Sequence, residues 1–222
     1  MTAPTVIVAQ PAPVAFTVVP PVRTPLAPAE AVTRLKTYPL VNRANGPLLL
    51  ALIWIETGAG NSSFGFNVGN IAAASSYQGQ AWRPPWFEIG PDASPRLQEL
   101  HARMMAGQAP SAFRSYSDFT AGFNDFISQL KISFPEVLAA AQTGDSAQFV
   151  QALSLKYSKD YGPQHVRSFE TLRKQFEPLF SDLSAPVNTL PTGGRIASSG
   201  LGASLGSALL FLGGFLLLKA AR

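Results

Sequence analysis

Cysteine is missing from the 222-residue chain. That absence removes disulfides, thiolate metal sites and a cysteine nucleophile together. Histidine is nearly missing too, with only His101 and His165. So few imidazoles leave a zinc site or a Ser-His-Asp triad short of groups, and neither a metal nor a cofactor is expected. Charge is sparse at 14% of residues. The basic excess sits outside residues 30–180, in Arg23, Arg195, Lys219 and Arg222 against Asp182. No basic stripe carries interleaved aromatics, so nucleic acid is not an expected partner.

Proline, by contrast, is dense at the start. Residues 1–29 read "MTAPTVIVAQPAPVAFTVVPPVRTPLAPA", too proline-rich for a helix. They also lack the basic flank and continuous apolar core of a signal peptide. The composition predicts an extended or disordered arm, with "TVIVAQ" and "VAFTVV" leaving open a strand-like arm that docks on a partner.

Residues 30–180 read as the folded domain, and helix signals recur in them. Pro47 precedes "LLLALIWIET" and Gly58 follows it. "SDFTAGFNDFISQL" has Ser117 as a candidate N-cap, then one stripe of Phe119, Phe123, Phe126, Ile127 and Leu130. Ser133 and Glu136 have capping-box spacing ahead of "VLAAAQTG". "SAQFVQALSLKY", "GPQHVRSFETLRKQF" and "PAEAVTRLKTYPL" complete the set. Residues 64–95 read as loop with a small hairpin. Residues 181–200 form a flexible linker. The uncharged run "LGASLGSALLFLGGFLLL" begins a segment, 201–220, that fits a transmembrane helix by length. The expected fold class is mainly α: a helical domain, a small hairpin and one C-terminal transmembrane helix.

One residue breaks its own pattern. Apolar side chains run unbroken from Leu48 to Ile55, and then Glu56 stands where another core residue is due. Its helical neighbours Ile53, Leu52 and Leu49 are all apolar. A carboxyl on that face is desolvated, which raises its pKa. A glutamate protonated near neutral pH is what a general acid needs to protonate a glycosidic oxygen. A glutamate paired with an arginine or a helix N-terminus is the structural alternative.

Glu56 opens the stretch "ETGAGNSSFGFNVGNIAA". Further on come "FRSYSDFTAGFNDFISQL" from Phe113 and "KYSKDYGPQHVRSF" around Tyr157 and Asp160. In order and approximate spacing these elements resemble the bacterial peptidoglycan glucosaminidases of the flagellar muramidase and autolysin type, in the lysozyme-like superfamily. That family has a helix ending in Glu-(Ser/Thr)-Gly-x-Gly, an Asn-rich loop before Gly-Ile, an FR-x-Y element and a Tyr-Ala-Thr-Asp type motif. The resemblance spans roughly residues 45–178.

The resemblance implies a lysozyme-like domain that cleaves the peptidoglycan glycan strand, with Glu56 as the catalytic acid. It implies a cleft tyrosine at Tyr157, with Tyr161 as the alternative. It points to a second acid in the loop after the Asn-rich segment, where Glu88 is a better candidate than Asp92. Asn67 and Asn70 could bond N-acetyl groups, or simply shape the loop. Trp86, with Trp82 and Phe87, could stack on sugar faces or close the core beneath a long loop. Hydrolysis needs a second carboxylate, whereas lytic transglycosylation in related enzymes needs only one, so both reactions stay open.

A wall-lytic motif, a C-terminal anchor and no export signal together suggest a phage virion protein. It would sit in the virion's internal membrane and open the bacterial wall locally during infection, with 1–29 binding a capsid or vertex protein. A bacterial cytoplasmic-membrane autolysin is the alternative placement. A non-catalytic structural or sugar-binding membrane-anchored protein on the same scaffold is the rival function, and a holin-like role for the anchor is a further one.

Overall fold

The computed structural model describes residues 15–185. The first strand, β1, is Thr17–Val18. Two helices follow, α1 (Pro28–Lys36) and α2 (Gly46–Glu56). Then come β2 (Gln80–Trp82), α3 (Pro95–Met105) and β3 (Phe113–Ser115). The last part is helical: α4 (Phe119–Ile132), α5 (Pro135–Gln142), α6 (Ser146–Ala152) and α7 (Val166–Phe176). A π-helical turn, Leu153–Tyr157, continues α6, and short 3-10 turns flank α7.

Proline occupies the first turn of α1, α2, α3 and α5, where its missing N–H costs no hydrogen bond. Asp118, not Ser117, caps α4, accepting from the Ala121 amide at 2.9 Å. The expected Ser133–Glu136 capping box does not form. Ser133 instead bonds the Gln129 side chain, and α5 begins on proline behind Phe134.

Helix α2 is the axis of the main core. Leu48 to Ile53 are fully buried, as expected of a helix apolar on every side. α7 lies along it, with Trp54 edge-on to Phe176. At its start a Cβ on Gly46 would fall 2.4 Å from the Phe180 ring, so only glycine lets the chain's last described turn close over α2. A second, smaller core gathers Trp82, Trp86, Leu100, Ala109 and Phe113 around α3 and the sheet.

The sheet runs in the order β1-β2-β3, parallel between β1 and β2 and antiparallel between β2 and β3. This corrects the hairpin expectation: the antiparallel pair is joined through α3, a helix the sequence reading did not identify. The described part of the proline-rich arm is extended across its own domain. Thr24, Leu26 and Arg23 bond Ser63, Gly60 and Asn61, so the arm straps down the loop that follows Glu56.

The expected transmembrane helix needs correction as well. Segment 201–220 lies outside the described residues, as do 1–14 and the linker from 186. Among the described residues no helix is long and apolar enough to cross a membrane. A span takes about 20 residues; the most apolar helix, α2, has 11, and its apolar surface is covered by protein. The C-terminal anchor is therefore not retained. Nor are the placements in a virion internal membrane or a bacterial cytoplasmic membrane that depended on it.

Candidate active site

Glu56 ends α2 with 1% of its surface exposed. The chain then reverses tightly. Thr57 bonds back to the Ile53 carbonyl at 2.7 Å and receives the Gly60 amide at 3.1 Å. Gly58, Ala59 and Gly60 all have positive φ, 60°, 56° and 78°. Two glycines here suit a left-handed run that side chains disfavour, which explains the Thr-Gly-x-Gly spacing after the acid.

The next loop carries Asn67 and Asn70. Asn67 is buried and spends its amide on the backbone, giving to the Ile71 and Arg114 carbonyls at 2.9 and 3.0 Å and accepting from the Ile71 amide at 2.8 Å. It shapes the loop. Asn70, held at φ 47°, reaches the acid itself. Its Nδ2 donates to the Glu56 carbonyl at 2.5 Å and to Glu56 Oε2 at 3.1 Å. The backbone carbonyl can only accept, so the amide nitrogen must face Glu56.

The two candidate tyrosines part company. Tyr157, at the end of the π-turn, donates to the Gly69 carbonyl at 2.7 Å and so supports the asparagine loop. Tyr161 donates to Glu56 Oε1. Its ring packs against Tyr157, His165 and Phe169. Burial holds both phenols well above their usual pKa, so both stay protonated.

Glu56 itself is pushed up to about 7. Loss of water is the main cause; the hydrogen bonds from Tyr161 and Asn70 favour the anion and oppose it, and the nearby negative charge of Asp160 adds to it. Among the described residues no arginine or lysine acts on the group. The arrangement is thus a carboxyl that exchanges its proton near neutrality and is held by two neutral donors.

Changing Tyr161 to phenylalanine removes one donor to the anion. The Glu56 titration, followed by carboxyl-carbon NMR, should then move above about 7, with a stability loss of about 1–3 kcal/mol from the vanished charged hydrogen bond.

The loop residues stand differently. Glu88 is exposed in the turn after β2, and the acid whose charge acts on Glu56 is Asp160. Trp86 is 3% exposed, inside the smaller core. Its Nε1 donates to the Pro110 carbonyl at 3.1 Å, its ring is edge-on to Phe113, and its carbonyl meets His101 Nδ1. Trp82 is likewise enclosed, between Phe64 and Phe113. These indoles close a core instead of offering a face to solvent. A surface pocket of about 420 Å³ lies elsewhere, between the starts of α6 and α7, lined by Asp145, Ser146, Glu170 and Arg173 among others.

Sequence reasoning gave Asn70 a sugar-binding or a loop-shaping role and missed its grip on the acid. It matched Asp160 to a motif without giving it a role, because its electrostatic reach to Glu56 depends on the turn after the π-helix. Comparison with protein-family models, curated proteins and solved structures finds no match.

Proposed function

We propose that this protein cleaves the glycan strand of peptidoglycan, as a glucosaminidase or a lytic transglycosylase, with Glu56 as general acid. One observation carries the reading: a fully buried carboxyl, without a cationic partner among the described residues, that exchanges its proton at about pH 7. A structural glutamate is normally ionised and paired when buried.

Glu56 gives its proton to the glycosidic oxygen as the bond to the anomeric carbon breaks. The bonds from Tyr161 and Asn70 strengthen as the carboxylate forms, so they stabilise the transition state more than the resting acid. In the transglycosylase branch the carboxylate then takes the proton of the muramic acid 6-hydroxyl. That oxygen attacks the anomeric carbon and closes a 1,6-anhydro ring. In the hydrolytic branch water attacks instead, with a second carboxylate in support.

Digestion of purified peptidoglycan by the full chain should release soluble fragments. Mass spectrometry separates the branches: ends lighter by one water mean transglycosylation, and new reducing glucosamine ends mean hydrolysis. Intact sacculi after prolonged incubation would overturn the proposal.

A further inference from the structure

Helix α3 packs on the smaller core through Leu97, Leu100 and Met104. From the same helix Arg103 meets Asp160, on the turn beyond the π-helix, with Nη2 3.8 Å from Oδ1. The two partners therefore belong to different parts of the fold. Asp160 directly precedes Tyr161, the donor to Glu56, and its charge acts on Glu56. Arg103 is thus one ion pair away from the acid.

That pair is unlike the structural ones. Arg114 grips Asp125 with two bonds of 3.0 and 2.8 Å, and Arg173 grips Glu170 with bonds of 2.9 and 3.0 Å. At 3.8 Å the Arg103 contact is beyond hydrogen-bond length, and its side chain is 27% exposed. Among the described residues the Arg103 guanidinium makes no hydrogen bond. A planar fork of five donors, held beside an acid and left unused, suits a carboxylate that arrives with a ligand. A loose, exposed pair contributes about 0–1 kcal/mol, so it is easily exchanged.

We propose that Arg103 selects carboxylate-bearing glycan strands, exchanging Asp160 for a carboxylate on the sugar or its peptide stem. The inference rests on the glycan-cleaving reading above and names its substrate class: acidic glycans over neutral ones such as chitin.

The test uses peptide-free glycan strands with free lactyl carboxylates, and the same strands converted to methylamides. The full-length protein is compared with Arg103→Gln and Arg103→Lys. On the acidic strands R103Q should raise KM about tenfold, equivalent to about 1.4 kcal/mol, with kcat within about twofold and partial recovery in R103K. On the methylamide strands wild type and R103Q should have equal KM. A rise on both substrates, or on neither, overturns the assignment of Arg103 while leaving the cleavage reading in place. If wild type cuts neither substrate, both proposals fall.

Discussion

Replacing Glu56 by glutamine should lower kcat for glycan cleavage by about 10²–10⁴-fold, the usual contribution of a positioned general acid, without unfolding the protein. The amide keeps the volume of the acid and can still accept from Tyr161 or Asn70, but it has no proton to give to a leaving oxygen. Undiminished turnover in this variant would remove the proposed chemistry outright.

The same substitution should change how stability depends on pH. In the unfolded chain the glutamate titrates near 4.5, and in the fold near 7. Below 4.5 it is protonated in both states, and the fold has its full stability. Between 4.5 and 7 the unfolded chain releases the proton while the folded chain keeps it, so stability falls as pH rises, levelling off above 7. The loss is about 3 kcal/mol. Glu56→Gln has no proton to lose there. Denaturant titrations between pH 4 and 8 should show this slope in wild type and its removal in the variant, with the variant the more stable at pH 8.

Gly122→Ala should be damaging although it changes no charge. Gly122 lies within α4, where alanine ordinarily favours the helix. Here a Cβ would fall 2.0 Å from the Phe66 carbonyl oxygen. Phe66 has φ 56° and directly precedes Asn67, so the loop cannot yield without disturbing the path to Asn70. The expected cost is about 2–3 kcal/mol, at the upper end for overpacking, read as a lower denaturation midpoint. Turnover should fall with it, because Asn70 loses its aim at Glu56.

Local patterns carried the helical part of this fold well. Prolines mark helix starts because they cost nothing there, and the phenylalanine stripe of α4 buries Phe123, Phe126 and Leu130 as its spacing requires. The burial of Glu56 was legible too, since its three helical neighbours are apolar. Less legible was everything that depends on distant partners. Strands β1, β2 and β3 are two or three residues long, too short for an alternating pattern to declare itself. Helix α3 exposes most of its surface and buries only Leu100 fully, which leaves little periodicity in a region dominated by glycine, proline and tryptophan. Trp86 has the same side chain whether it stacks on a sugar or fills a core, and only the Pro110 carbonyl at its Nε1 decides. The division of labour between Tyr157 and Tyr161 turns on a single π-helical turn, a backbone feature without a residue signature.

The proton-holding environment of Glu56 is assembled from opposite ends of the domain: Tyr161 stands 105 residues downstream. A cut that removes Tyr161 and α7 takes away one donor to Glu56 and the cover over α2, so the glutamate should then titrate nearer the ordinary carboxylate range. Proton exchange at Glu56 near neutrality therefore waits on the chain closing as far as Tyr161 and α7.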